Sequence, residues 1–319
     1  MKQKIIIISA IILLLTLVAF MVKDFFFSKP ESRNPYEFEL NNVRTGDTSM
    51  AAYTEIFQFK TGLDEIHGIA IDLENQIYVA GKDGVEIFNS AGKTLYNIKT
   101  QSTPQCIAVD GNGYILLGIQ DHIEIWNRDG KQVARWNSCG PDAVITSIAV
   151  KDNNVFVADA GQKVVYRYNK TENLLNKIGL KDPATGVPGF IIPSPYFDLG
   201  ISKDGNLWVV NPGRHSFEKY SFDGTLLTSW AKASMAMEGF CGCCNPSNFA
   251  FLNDSMFVTS EKGIERVKVY KTDGTFLAVV ATPDQFEEGT TGLDLAVDNQ
   301  NRILLLDPAK KLVRIFEPK

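Results

Sequence analysis

Six segments of this chain align with one another, and that internal repetition restricts its fold more than any other feature. Five are complete, among them "IHGIAIDLENQIYVAGKDGVEIFNSAGKTLYNIKT", "PQCIAVDGNGYILLGIQDHIEIWNRDGKQVARWNS" and "PSNFAFLNDSMFVTSEKGIERVKVYKTDGTFLAVV". A sixth, "GLDLAVDNQNRILLLDPAKKLVRIFEPK", stops early at the C-terminus. Anchored on Ile69, Ile107, Ile148, Leu199, Phe249 and Leu295, the repeats are spaced by 38, 41, 51, 50 and 46 residues.

Each repeat reads as four short strands. An apolar run such as "IAVD" meets a turn of Asn, Asp or Gly, then come a second run ("IYVA"), an alternating strand ("VEIFN", "IEIWN"), a turn ("SAG", "RDG", "FDG") and an outer strand. Period-two alternation broken by these turn residues is a strand-and-hairpin pattern. Four-stranded units of this length predict an all-β chain folded as a β-propeller. The sixth repeat lacks its outer strand, and "YTEIFQFKTG" (53–62) resembles one. The expectation is a six-bladed ring spanning 51–319 whose N-terminal strand completes the last blade, because closure removes two exposed edges.

The repeat resembles the NHL repeat, with "HGIAIDLENQIYVAG" and "VFVADAGQKVVYRYN" carrying the likeness over residues 53–319. That resemblance implies the propeller fold. It leaves function open, since NHL propellers include protein-binding, RNA-binding and catalytic members.

The N-terminus has another character. After "MKQK", the 18 residues from Ile5 to Val22 are apolar or small and uncharged. As a helix they extend roughly 27 Å, just enough for a bilayer core. Residues 1–23 are therefore read as an uncleaved signal anchor, with a cleaved signal peptide as the competing reading. Residues 24–50 read as a tether. Both readings export the propeller, and the expected location is the outer, periplasmic side of a cytoplasmic membrane, held by one span. A net charge of −5 provides no overall basic field, so nucleic acid is not an expected partner.

In a propeller the connections between blades lie on the face where the innermost strands begin, here the upper face. Two are enlarged, 179–196 and 231–248, and long loops on a rigid scaffold are where function concentrates. A binding site for a partner protein, peptide or small ligand is expected there, built from Phe190, Pro193, Tyr196, Asp198, Phe240, Asn245, Asn248, Asp294, His67 and His215. All five cysteines, Cys106, Cys139, Cys241, Cys243 and Cys244, map to this face. Disulfide stapling of the loop is one reading of "CGCC". Metal ligation is a second, and a redox or ligand-contact role, including a vicinal Cys243–Cys244 bridge, is a third.

No cofactor is assigned, although a metal ion at the cysteine loop or the channel mouth stays open. Whether the protein is an enzyme stays open too. Asp198, Asn248 and Asp294 share one column, with Glu65 nearby, and this set resembles the ion-binding residues of the gluconolactonase-like hydrolases. The register is shifted, with Phe197 and Ser247 at positions where that family places ligands. His67, His122 and His215 resemble in number, without matching in position, the histidines of peptidylglycine amidating lyases. A scaffold role in an envelope complex is the third possibility.

Overall fold

A computed structural model describes residues 2–27, 50–252 and 256–319. The chain separates into two units, Met1–Val43 and Arg44–Lys319. The first contains helix α1, Lys2–Phe27. Its side chains are described at 8, 9 and 11–23, and among the described residues no helix is long and apolar enough to cross a membrane. The expected anchor is therefore not seen as a span. Most of the tether expected over 24–50 lies outside the described residues.

The second unit is a six-bladed propeller, six antiparallel sheets of four strands each. Strand β1, Tyr53–Lys60, pairs with the C-terminal strand β24, Leu312–Pro318, from Tyr53 opposite Pro318 to Lys60 opposite Leu312. The ring is thus closed by the strand that the truncated sixth repeat required. Arg314 fixes this seam, because its guanidinium reaches Glu55 of β1 at 2.6 Å and Asp307 at 3.4 Å.

The repeated aspartate explains the turns. Asp72 Oδ1 accepts the amide protons of Glu74 and Gln76, and Asp110 and Asp298 make the same pair of bonds two and four residues on. A carboxylate that satisfies two turn amides replaces the ladder bonds lost at the strand end. The third residue after each aspartate is left-handed: Asn75 at φ 60°, Gly113 at 82° and Asn301 at 65°. Glycine and asparagine are the residues that tolerate this conformation.

Between blades four and five the core is aromatic. Phe217 stacks on Phe257 with centroids 4.7 Å apart and on Trp230 at 4.9 Å, while Trp208 meets Phe257 edge-on. Such pairs add to the area they bury, by roughly 0.5–1.5 kcal/mol each.

Candidate functional site

One residue precedes the apolar anchor of each innermost strand: Gly68, Cys106, Ser147, Asp198, Asn248 and Asp294. All but the glycine line a central cavity of about 120 Å³. The polar members lace neighbouring blades together. Asp198 accepts from the Ser147 hydroxyl at 2.6 Å and from the Phe249 amide of the next blade at 2.8 Å. Asp294 accepts from the Ile69 amide at 2.8 Å, across the seam between sixth and first blades, and from the Asn248 side-chain amide at 3.3 Å.

Burial pushes the Asp198 carboxyl up to about 6, against the lowering pull of its three hydrogen bonds. Burial, reinforced by the charge of Asp198, pushes Asp294 up to about 7. Both acids therefore sit near the point where proton and charge exchange at neutral pH. With its amide group given to Asp294, the buried Asn248 carbonyl oxygen has no hydrogen-bond partner among the described residues.

Above the channel lies a basin of about 480 Å³, lined from every blade. Glu65 and His67 come from blade one, Gln105 and Gln120 from blade two, Thr146 from blade three, Tyr196 from blade four, Asn248 from blade five and Gly292 from blade six. His67 Nδ1 donates to the Pro104 carbonyl at 2.9 Å, which turns Nε2 toward Glu65 at 3.7 Å. Asp64 and Glu65 are the basin's carboxylates, and no lysine or arginine lines it among the described residues. Lys311 and Lys82 approach these acids only to 3.9 Å, a separation worth little between exposed groups.

Other expected residues are placed elsewhere. Phe190 is buried against Phe197 and Tyr220, in the core beneath the 179–196 connection. Gly179 makes room for it: φ is +81°, and a Cβ there would sit 1.8 Å from the Phe190 ring. Phe240 is wholly buried among Phe217, Trp230 and Tyr270. These two rings hold loops down and are not presented to a ligand. Asn245 is also buried, bonding the carbonyls of Cys241 and Lys262 and the Lys262 amide, while His215 Nδ1 donates to its backbone oxygen at 3.0 Å. Pro193 remains exposed and Tyr196 half-buried on the loop surface.

All five cysteines are free, so the expected staple is not present. Each sulfur has different surroundings. The Cys106 sulfur packs so closely on Gly118 that a Cβ there would stand 2.4 Å from it, and burial raises its pKa. Cys139 meets the Tyr168 hydroxyl at 3.7 Å, and Cys241 faces the Arg266 guanidinium at 3.4 Å. Cys243 and Cys244 have sulfurs 3.1 Å apart.

Metal readings fit poorly. Every carboxylate oxygen of Asp198 and Asp294 already accepts a hydrogen bond, as strand-end acceptors do. The histidines are dispersed, with His122 bound to Asp121 and His215 to the Asn245 backbone. Among the described residues no group of three or more His, Cys, Asp or Glu is placed to hold a metal ion.

A buried ion cluster was not anticipated. Glu261 Oε2 accepts from Arg266 at 2.7 Å, and Glu261 Oε1 lies 2.5 Å from Lys268 Nζ, all three side chains being at most 1% exposed. Arg266 also donates to the carbonyls of Ala236 and Gly239, and Lys268 to those of Met237 and Gly239. This cluster clamps the 231–248 connection onto blade five. Its sequence signal is the charge crowded into "SEKGIERVKVY", a segment whose apolar residues alone fit a buried strand.

No protein-family model matches the chain, and no curated protein matches its sequence. Solved structures do match its fold. A streptogramin B lyase is similar over 84% of this chain and 98% of its own, with a TM-score of 0.58 and 11% identity. Virginiamycin B lyase from Staphylococcus aureus covers 84% of this chain and 89% of its own, at TM-score 0.56 and 14% identity. The WD40 β-propeller domain of Doa1 matches 81% of each chain, at TM-score 0.57 and 14% identity. At these identities the likeness establishes the propeller and nothing finer.

Proposed function

We propose that this protein is an exported, NHL-type propeller whose upper-face basin binds a small neutral or cationic ligand that donates hydrogen bonds. The observation that carries this reading is the Asn248 carbonyl, buried without a partner where basin and channel meet. A buried acceptor left unpaired costs roughly 1–3 kcal/mol, which a donor from a ligand recovers. The two rim carboxylates and the absence of lining lysine or arginine among the described residues favour an amine or amide over an anion. Half-buried Tyr196 lines the basin, with Lys262 over one face of its ring. The apolar run from Ile5 to Val22 supports anchorage at a membrane through α1.

Binding is favoured over lactone hydrolysis because the channel acids are occupied by strand amides. The test is a thermal-shift screen of the full chain against amines, amides and short peptides. Compounds that raise the melting temperature should lose that effect in Tyr196→Ala and Glu65→Ala, with Pro193→Ala as the unaffected control. Stabilisation by anions alone, or hits indifferent to both substitutions, would refute the assignment.

A further inference from the structure

The Cys243–Cys244 pair lies outside the basin and has chemistry of its own. Cys243 is exposed and Cys244 is buried, so one sulfur meets solvent while the other stands behind it at 3.1 Å. The Ser194 hydroxyl near Cys244 is buried without a hydrogen-bond partner among the described residues. Lys262 stands over the Tyr196 ring, 4.7 Å from its centroid, and its charge acts on both sulfurs. Burial works against ionising Cys244, yet the nearby Ser194 hydroxyl, the Cys243 thiol and the Lys262 charge outweigh it and lower its pKa from the ordinary thiol value. Cys243 is held above its range, chiefly by its hydrogen bond to Cys244. The pair is rigidly mounted, because the Asn245 amide ties the loop to the Cys241 and Lys262 carbonyls.

We propose that Cys243 and Cys244 are a thiol–disulfide exchange site for low-molecular-weight disulfides bearing carboxylates. Cys243, losing its proton to solvent, attacks one sulfur of the substrate R–S–S–R′. A Cys243–S–S–R bond forms, and R′S⁻ leaves and takes up a proton. Cys244, giving up its own proton to solvent, then attacks the Cys243 sulfur, forming the vicinal disulfide and expelling RS⁻, which is protonated in turn. Two protein thiols are oxidised, one substrate disulfide is reduced to two thiols, and no other reagent enters.

Adjacent Cα atoms across a trans peptide are about 3.8 Å apart, short of the roughly 4.4–6.8 Å that bridged cysteines prefer. A bond made under that strain is readily reduced again, as labile and catalytic disulfides are. The exposed Cys243 is thus the site of attack and the buried Cys244 the resolving group. Lys262 provides the positive charge that draws a carboxylate-bearing substrate.

The experiment uses the full chain in mixtures of reduced and oxidised glutathione, followed by alkylation and mass spectrometry of the peptide spanning 241–248. The wild type should lose two thiols reversibly, joined as Cys243–Cys244. Cys244→Ser should retain glutathione on Cys243, with about tenfold more adduct than wild type. Replacing oxidised glutathione with the cationic disulfide cystamine should slow oxidation severalfold. Retention of both thiols, a bridge to Cys241, equal adduct in wild type and Cys244→Ser, or cystamine reacting as fast as glutathione disulfide would each overturn the proposal. The wild-type titration decides the matter even if the variant fails to fold.

Discussion

Glu261→Gln tests the buried clamp beneath the 231–248 connection. The substitution keeps volume and removes one negative charge between two cations that are at most 1% exposed. Removing one partner from a buried ion pair typically costs about 3–5 kcal/mol. Here the cost falls at the low end for two reasons. Arg266 and Lys268 keep backbone carbonyls as acceptors. Burial has also already pulled Lys268 down to about 8, despite the raising effect of Glu261, so it can shed its proton once that carboxylate is gone. A loss of about 3 kcal/mol lowers the melting temperature of a domain this size by roughly 6–12 °C. Thermal unfolding followed by circular dichroism measures it, and Glu261→Gln combined with Lys268→Met should recover part of the loss. A shift of less than about 2 °C, or no recovery in the double variant, would show that the three charges do not act as one buried unit.

Asp294 predicts a pH dependence. Burial and the Asp198 charge push its carboxyl up to about 7 in the folded chain, against about 4 when unfolded. Between those values the folded state holds the proton that the unfolded state releases, so stability falls as pH rises through the window. Denaturant midpoints at about pH 5 and about pH 7.5 should differ less in Asp294→Asn than in wild type; an equal or greater difference contradicts the burial argument. Phe217→Ala empties the stack between Phe257 and Trp230 and should cost about 3–5 kcal/mol by chemical denaturation. Gly179→Ala should cost about 1–3 kcal/mol from its φ of +81° and from displacement of Phe190, and a neutral result would remove Phe190 from its assigned place.

The ring was legible in the sequence because each blade carries its own local signals. "IDLENQ", "VDGNG" and "VDNQN" encode the turn that Asp72, Asp110 and Asp298 build, and the missing outer strand of the last repeat pointed to Tyr53–Lys60. The channel set was legible for the same reason, since Asp198, Asn248 and Asp294 share a repeat column. The orientation of loop residues was not. Phe190 and Phe240 lie in enlarged connections with no periodicity, and whether such a ring points inward depends on space made elsewhere, by Gly179 and by Trp230 and Tyr270. The polar lining supplied by Gln105, Gln120 and Thr146 escaped notice because these residues precede the channel column or sit between second and third strands. Their convergence arises only when the ring closes.

Hydrogen exchange with mass spectrometry, on the full chain with and without a stabilising amine or amide from the screen, tests the binding site most directly. Slowed exchange should converge on segments 64–67, 105–106, 120, 144–148, 195–198, 248 and 291–294, which lie far apart in the chain and meet at the basin and its floor. Slowing confined to the outer strands or the lower turns, with these segments unchanged, would contradict a ligand site over the central channel.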